Sequence, residues 1–316
     1  MALNEFSIID EFFKLDAAYG RSPVVDIGDD CAVLDVPAGD QLAVSTDTLV
    51  EGVHFLAGSD PESLGHKVLA VNLSDLAAMG ASPAWVSLAI TLPSVDRSWL
   101  ASFTKGFFTL AGRYSLRLIG GDTTRGPLSI TVSIMGLLPE GQRLTRSGAN
   151  VGDDIYVSGT FGNAGLGLLK AQSACIDIKD IDLAAYLKPE PRVELGQALL
   201  PLATSCIDVS DGLSADLNHI LCGSKVGAKV DHTSVPLTQS VAEHVSQVGD
   251  EFWPYSTGDD YELCFTVPPG IDLSGLGNNL TDKITKIGVV EKGHELRVVQ
   301  ENGQQQILNK GYEHFS

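Results

Sequence analysis

The sequence is short of positive charge. Lysine and arginine number 21 against 40 aspartates and glutamates in 316 residues, so the formal net charge is −19 at pH 7. A field of that sign repels the phosphates of nucleic acids and anionic lipids, which argues against proteins that bind either. The same field opposes an anionic small substrate unless metal cations lie between the two.

Several other signals are missing. The five cysteines are scattered and form no C-x-x-C pair, which argues against a disulfide framework or a zinc site. The first ten residues lack the basic and apolar segments of a secretory signal, and no apolar run is long enough to cross a bilayer, so we expect a cytoplasmic protein. Neither the Walker A pattern nor the protein-kinase motifs occur.

The composition is that of a folded protein with two domains. Hydrophobic residues make up 44% and charged residues 19%, and 316 residues are more than one core normally needs. In the first half, spacing and turn residues predict helices at 4–15, 60–79 and 96–114. They predict strands at 41–46 and 85–92, a strand ending at 120–122, and a strand at 129–138.

The polar, turn-rich segment 139–152 is predicted to join two domains, 1–138 and 153–316. The second half is predicted to contain strands at 154–158, 206–209 and 261–267. Helices should follow the glycine-rich loop 159–167 and the turn Ser210-Asp211-Gly212. Because strands and helices alternate in both halves, the fold class is mixed α/β (α+β).

The placement of the aspartates is the most informative feature. They lie in a tight loop, at strand ends, at a strand-to-helix turn and inside an apolar helix: Asp29, Asp30, Asp47, Asp75, Asp122, Asp208 and Asp211. Any one of them has an ordinary explanation, since Asp caps helices and ends strands. Asp75 is the exception, because its helix is apolar nearly all round and a buried carboxylate without a partner is costly. Asn72 lies on the same helix face.

As a set, these carboxylates predict a metal site. If they converge, they cannot all stay ionised without cations. Oxygen ligands favour hard ions, so Mg²⁺ is the first choice, and Mg²⁺ in proteins commonly completes its shell with phosphate and water. A phosphorylated substrate, in particular a nucleotide, follows. The loop Gly162-Asn163-Ala164-Gly165-Leu166-Gly167 either offers backbone N–H groups to phosphate or serves tight packing.

The motifs together resemble bacterial thiamine-monophosphate kinase over essentially the whole chain. The first three segments that carry the resemblance are Gly28–Ala32, the stretch Ser45-Thr46-Asp47-Thr48-Leu49-Val50-Glu51-Gly52-Val53-His54-Phe55, and Val71–Ala81. The others are Gly120–Gly126, Leu144–Ala149, Ile207–Leu213 and Gly258–Leu263. Their order and spacing fit as a set. The family often has Glu where Asp259 stands, so the carboxylate is kept here on a side chain one methylene shorter.

The resemblance implies an N-terminal α/β domain that binds metal and ATP and dimerises through its sheet. It also implies a C-terminal α/β domain of the aminoimidazole ribonucleotide synthetase type that completes the active site. The implied reaction is direct, in-line transfer of the γ-phosphoryl group of ATP to thiamine monophosphate, which releases ADP and is the final step of thiamine diphosphate biosynthesis. Several Mg²⁺ ions, ATP as co-substrate and a homodimer are implied with it.

The same resemblance implies a role for each matching residue. The implied Mg²⁺ ligands are Asp30, Ser45, Thr46, Asp47, Asp75, Asp122, Asp208 and Asp211. The implied ATP contacts are Gly121, Asp122, Arg146 and Ser210, and the implied thiamine monophosphate contacts are His54, Asp259 and Tyr312. Asp47, Asp122, Arg146 and Asp211 are the implied catalytic residues.

Two other functions stay open at this point. One is a related ATP-dependent enzyme of the same superfamily with another acceptor. The other is a metal-binding protein that senses nucleotides without transferring phosphate. His54 and Tyr312 also have structural explanations, as a strand-end histidine and a packing aromatic.

Overall fold

The structure, a computed structural model, describes residues 5–14, 19–172, 181–281, 283–309 and 311–312. The ends of the first predicted helix and Cys175 lie outside these ranges. The chain divides into two compact units, Met1–Leu76 with Ala81–Gly141, and Ala77–Gly80 with Gln142–Ser316. The change of unit after Gly141 falls within the segment 139–152. No helix within the described ranges is both long and apolar enough to cross a membrane.

The first unit contains a four-stranded sheet and two long helices. Its elements are α1 (Glu5–Ile8, continued by a π-helical turn Ile9–Phe13), β1 (Asp40–Val50), α2 (Pro61–Met79), β2 (Ser82–Leu92), α3 (Arg97–Arg113), β3 (Arg117–Arg125) and β4 (Ser129–Pro139). The strand order is β1-β4-β2-β3, in which only β2 and β3 run parallel. This arrangement confirms the mixed α/β class for the first half.

The two long helices begin and end where their cap residues are. The carboxylate of Asp60 accepts the Ser63 backbone N–H at 2.8 Å at the start of α2, and Gly80 ends α2 with a φ of 73°. Asp96 caps α3 by accepting the backbone N–H groups of Ser98 and Trp99. The two ends of α2 and the start of α3 match the sequence prediction.

Alternation along β1 gives the sheet two different faces. Ser45, Asp47 and Leu49 point to the face that contacts α2, which we call the helix face. Thr46 and Thr48 point to the opposite face, where their hydroxyls bond Ser133 and Thr131 at 2.8 Å each. We call this second surface the open face.

The second unit is built on a seven-stranded sheet. Its elements are β5 (Asp154–Ser158), α4 (Asn163–Gln172), α5 (Ile181–Leu187), α6 (Val193–Leu199), β6 (Ser205–Val209), α7 (Leu213–Ser224), β7 (Gly227–Asp231), α8 (Gln239–Val248), α9 (Trp253–Ser256), β8 (Glu262–Val267), α10 (Asn278–Thr281), β9 (Ile284–Glu291), β10 (Leu296–Val299) and β11 (Gln305–Ile307). The strand order is β11-β10-β7-β9-β5-β8-β6, and only β10 and β7 run parallel. Every residue of β6 and β8 is buried, so these strands hold the turns that follow and precede them in fixed positions.

Candidate active site

Two carboxylates meet on the helix face of the first unit. Ser45 on β1 donates its hydroxyl to Oδ2 of Asp75 on α2 at 2.5 Å, and the backbone N–H of Asp47 donates to Oδ1 of Asn72 at 3.3 Å. Burial, and then the charge and hydrogen bond of Asp75, raise the pKa of Asp47 to about 7. Two like charges held side by side are an arrangement that a cation relieves. The α2 helix therefore presents Asp75 and Asn72 to β1, as its apolar surroundings suggested.

Asp122 lies elsewhere in the same sheet. Its register partner on β2 is Ala89, which is paired in turn with Thr131, so Asp122 belongs to the open face. Asp47 is on the helix face of β1, at the other edge of the sheet. Three strand spacings separate the two edges, or about 14 Å. One copy of the chain thus does not bring Asp47 and Asp122 to a single ion.

Gly121 is required by close packing. A Cβ at this position would lie 1.8 Å from the carbonyl oxygen of Leu88 on the neighbouring strand, a distance that no side chain tolerates. The backbone of β3 therefore follows β2 closely up to Asp122. Because Gly121 has no side chain, the backbone next to Asp122 is not covered by a side chain at position 121.

Three other predicted residues lie on loops. Asp30 is exposed, and its backbone N–H donates to Asp29 at 2.9 Å. His54 lies in the turn after β1, where Nδ1 accepts the Val50 backbone N–H at 3.0 Å, so the ring proton resides on Nε2. Arg146 in the second unit is exposed, and its positive charge acts on Asp216.

The second unit gathers five predicted residues around one turn. The turn Ser210-Asp211-Gly212 joins β6 to α7, and Gly212 has a φ of 112°. The backbone N–H of Asp259 donates to the Ser210 carbonyl at 2.8 Å, and that of Tyr312 donates to the Asp211 carbonyl at 3.0 Å. Asp208, the next-to-last residue of β6, is also buried. Residues about 50 and 100 positions apart in sequence are thus fixed around this turn.

Three polar residues beside this turn were not predicted. Asp216 on α7 is buried and accepts the Asp211 backbone N–H at 2.9 Å, and burial is the main reason its pKa rises to about 7. Tyr261 donates its hydroxyl to Oδ1 of Asp259 at 3.1 Å. Asp259 and Tyr261 both have left-handed backbone, with φ of 69° and 50°. Such strain in residues other than glycine is concentrated at functional sites, but the sequence carries no signal for it beyond the Gly-Asp-Asp-Tyr segment.

The third unpredicted residue, Asp260, decides the role of the glycine-rich loop. Its carboxylate accepts the backbone N–H groups of Gly162 at 3.0 Å and Ala164 at 3.4 Å. Burial raises the pKa of Asp260 well above its usual value. These donors at the start of α4 are used within the chain, and Gly167 is needed because a Cβ there would lie 2.2 Å from the Asp182 carbonyl oxygen. Of the two explanations for the loop, the structure favours packing.

The side chains that meet between β1 and α2 are of the type that binds Mg²⁺. The side chains of Ser45, Asp47 and Asp75 offer only oxygen ligands, and the two carboxylates lie side by side. In the part of the chain that the structure describes, no three His, Cys, Asp or Glu side chains come together as a complete metal site. The first unit therefore supplies a partial ligand set, which phosphate oxygens and water would have to complete.

Comparisons with known proteins identify the family of this chain. Residues 28–138 match the family described as AIR synthase related protein, N-terminal domain. The chain is 48% identical over 325 aligned positions to thiamine-monophosphate kinase from Escherichia coli K12, covering 100% of this chain and 99% of that protein.

Two solved structures are similar over almost their whole length. Thiamine-monophosphate kinase from Stenotrophomonas maltophilia K279a has a TM-score of 0.84 and 41% identity, covering 96% of this chain and 98% of that one. A structure described as AaThiL complexed with AMPPCP and TMP has a TM-score of 0.77 and 31% identity, covering 98% and 97%. This chain belongs to the thiamine-monophosphate kinase family.

Proposed function

We propose that this chain transfers the γ-phosphoryl group of ATP to the phosphate of thiamine monophosphate, giving thiamine diphosphate and ADP. The observation that carries the proposal is the 48% identity to a thiamine-monophosphate kinase along the full length of both chains. The similar AaThiL structure was described with AMPPCP, which is an ATP analogue, together with TMP.

The chemistry suits residues that hold charge in place. The acceptor is a phosphate oxygen, already anionic at neutral pH, so no side chain has to remove a proton. Bound Mg²⁺ would offset the negative charge of the ATP triphosphate and of the acceptor phosphate. The chain contributes position: Ser45 fixes the Asp75 carboxylate, and Asn72 fixes the backbone of Asp47 beside it.

The predicted site residues are divided between the two units. We assign metal binding to Asp30, Ser45, Thr46, Asp47, Asp75, Asp122, Asp208 and Asp211, ATP contacts to Gly121, Asp122, Arg146 and Ser210, and substrate contacts to His54, Asp259 and Tyr312. Arg146 is suited to a forked contact with the transferring phosphoryl group. The Asp259 carboxylate is suited to the cationic thiamine moiety. In this proposal the domain 1–138 binds metal and ATP, and the domain 153–316 completes the site.

A homodimer formed through the sheet of the first unit is part of the proposal. One observation supports it. Leu42 and Val44 on the open face of β1 are 40% and 61% exposed, which is unusual for neighbouring apolar side chains on a sheet. Sedimentation equilibrium of the wild type and of Val44→Glu tests this. A wild-type monomer would contradict it.

Activity is tested by incubating the purified protein with ATP, Mg²⁺ and thiamine monophosphate and separating the thiamine esters. Thiamine diphosphate should form in step with ADP and disappear when the metal is chelated. Asp75→Asn should abolish transfer with an unchanged circular dichroism spectrum, because it removes charge and keeps shape. Asp40→Asn, at the start of β1, is the matched control and should retain activity.

The other two functions predict different results. ATP consumed without thiamine diphosphate would indicate another acceptor, and ATP bound without turnover would indicate a nucleotide sensor. Either result would overturn the proposal.

A further inference from the structure

Helix α7 (Leu213–Ser224) contacts two segments of the second unit that carry predicted ATP contacts. Near its beginning, the buried carboxylate of Asp216 accepts the Asp211 backbone N–H at 2.9 Å and so holds the turn that also contains Ser210. The end of the helix contacts the loop 144–149. A helix rises 1.5 Å per residue, so the contacts at positions 216 and 224 lie about 12 Å apart along its axis. One stiff element therefore sets the spacing of the two segments.

The hydroxyl of Ser224 binds the loop to the end of α7. Its oxygen accepts the backbone N–H groups of Gly148 and Ala149, at 3.1 Å each. Ser224 is half-buried, so water competes only in part for these two N–H groups. Ser224 has no role in the phosphoryl transfer proposed above, yet its side chain holds the loop two residues after Arg146.

The backbone on both sides of Arg146 is fixed. Before it, the Thr145 carbonyl oxygen accepts the Cys206 backbone N–H at 2.9 Å. After it, Gly148 has a φ of 128°, and a Cβ there would lie 2.3 Å from the Thr204 carbonyl oxygen. The loop is thus confined between the start of β6 and the end of α7.

The Arg146 side chain extends along α7 toward the other segment. A Cβ on Gly223 would lie 3.4 Å from the Arg146 carbonyl oxygen, which places the backbone of Arg146 at the end of the helix. The positive charge of Arg146 nevertheless acts on Asp216. Because positions 216 and 223 are about 10 Å apart along the axis, the guanidinium group must lie nearer to the start of α7 than its backbone does.

We propose that Ser224 is a positioning residue for Arg146, which it holds at the distance from the turn with Ser210 and Asp211 that a bound ATP requires. The inference rests on the proposed function, because Arg146 and Ser210 are assigned to ATP there. An exposed arginine on a free loop would lose much conformational freedom on binding phosphate, and a loop already fixed by Ser224 loses less. Ser224 itself does not contact the nucleotide.

The first experiment titrates the ATP analogue AMPPCP with Mg²⁺ into each protein by calorimetry, which requires no turnover. Ser224→Ala removes both hydrogen bonds to the loop and should weaken AMPPCP binding roughly fivefold. Ser224→Thr keeps the hydroxyl and should bind within about twofold of the wild type. Ser246→Ala is the matched control, because the Ser246 hydroxyl, near the end of α8, bonds only the Ala242 carbonyl of its own helix. It should bind as the wild type does.

The second experiment tests whether Ser224 acts through Arg146. Arg146→Ala alone should weaken AMPPCP binding by about tenfold or more, since it removes a charged contact. Adding Ser224→Ala to Arg146→Ala should change the affinity by less than about twofold, because no guanidinium is left to position. In urea titrations, by contrast, Ser224→Ala should lower stability equally in both backgrounds, since the two hydrogen bonds are lost in each. A purely structural role would give equal losses of affinity in both backgrounds as well.

The outcomes separate this inference from the proposed function. Wild-type affinity in Ser224→Ala, or an equal further loss when it is added to Arg146→Ala, would overturn the inference even if the wild type makes thiamine diphosphate. Wild-type affinity in Arg146→Ala would also overturn it, because Ser224 would then have no contact to support. A protein that shows the expected coupling of Ser224 to Arg146 and makes no thiamine diphosphate would overturn only the proposed activity.

Discussion

Removing the hydroxyl of Tyr261 tests whether the strained segment after α9 orients Asp259. Tyr261 donates to Oδ1 of Asp259 at 3.1 Å, and both residues have left-handed backbone. Their backbone N–H groups are fixed to Val209 and Ser210 at 2.8 Å each. Phe at 261 has the same backbone cost as Tyr, so Tyr261→Phe changes the hydroxyl alone.

The size of the effect follows from the kind of bond that is lost. Hydrogen bonds to charged groups contribute about 1.5–3 kcal/mol, and a half-buried one falls at the low end of that range. Because 1.4 kcal/mol corresponds to a factor of ten in affinity, we expect the KM for thiamine monophosphate to rise about tenfold. The KM for ATP should stay unchanged, since the bond concerns only the residue assigned to the substrate.

The assay is steady-state kinetics with each substrate varied in turn. Tyr156→Phe is the matched control, because Tyr156 stacks on Phe265 at 5.7 Å and its hydroxyl has no hydrogen bond among the described residues. A change of less than about twofold in the KM for thiamine monophosphate would refute the reasoning, as would an equal rise for ATP.

Two further predictions concern stability. The buried Glu262 carboxylate accepts hydrogen bonds from Nε of Arg192 at 2.6 Å and from a terminal guanidinium nitrogen of Arg192 at 2.5 Å. Because Arg192→Met leaves this buried charge without its partner, the free energy of unfolding in urea titrations should fall by about 3 kcal/mol. A loss below about 1 kcal/mol would contradict this. Hydrogen bonds from the residue two positions later lower the pKa of three exposed carboxyls: Asp96, Asp231 and Asp272. Groups with lowered pKa stabilise the fold above their unfolded pKa of about 3.9 and lose that effect as pH falls through the folded pKa. The triple Asn variant should therefore show a smaller drop in Tm between about pH 4.5 and 2.5, and an unchanged drop would count against a stabilising role for these hydrogen bonds.

Local signals in the sequence were sufficient for the two long helices of the first unit. Asp60 and Gly80 bound α2, and Asp96 starts α3, because capping depends on neighbours in sequence. Strand ends were less well predicted. β1 extends to Val50 and β3 to Arg125, because pairing with β4 and β2 prolongs them beyond their most apolar residues.

The sequence nominates residues for the candidate site but does not contain their arrangement. Alternation along β1 already separates Thr46 from Asp47, a signal that the motif-based reasoning did not use. The separation of Asp47 from Asp122 depends on strand order, which no local pattern contains. The role of Asp260 depends on a contact made 98 residues away in sequence. The prediction that several aspartates bind metal together remains to be tested.

The strand order of the second unit bears on how the chain folds during synthesis. β5 is the first strand of this unit to leave the ribosome, yet both of its neighbours, β8 and β9, are made more than 100 residues later. Contacts this distant in sequence slow folding, because a long loop must close before any pairing is gained. Until residue 291 is translated, the apolar β5 has an unpaired edge. The nascent second unit should therefore depend on chaperones more than the first, whose neighbouring strands β2, β3 and β4 emerge close together.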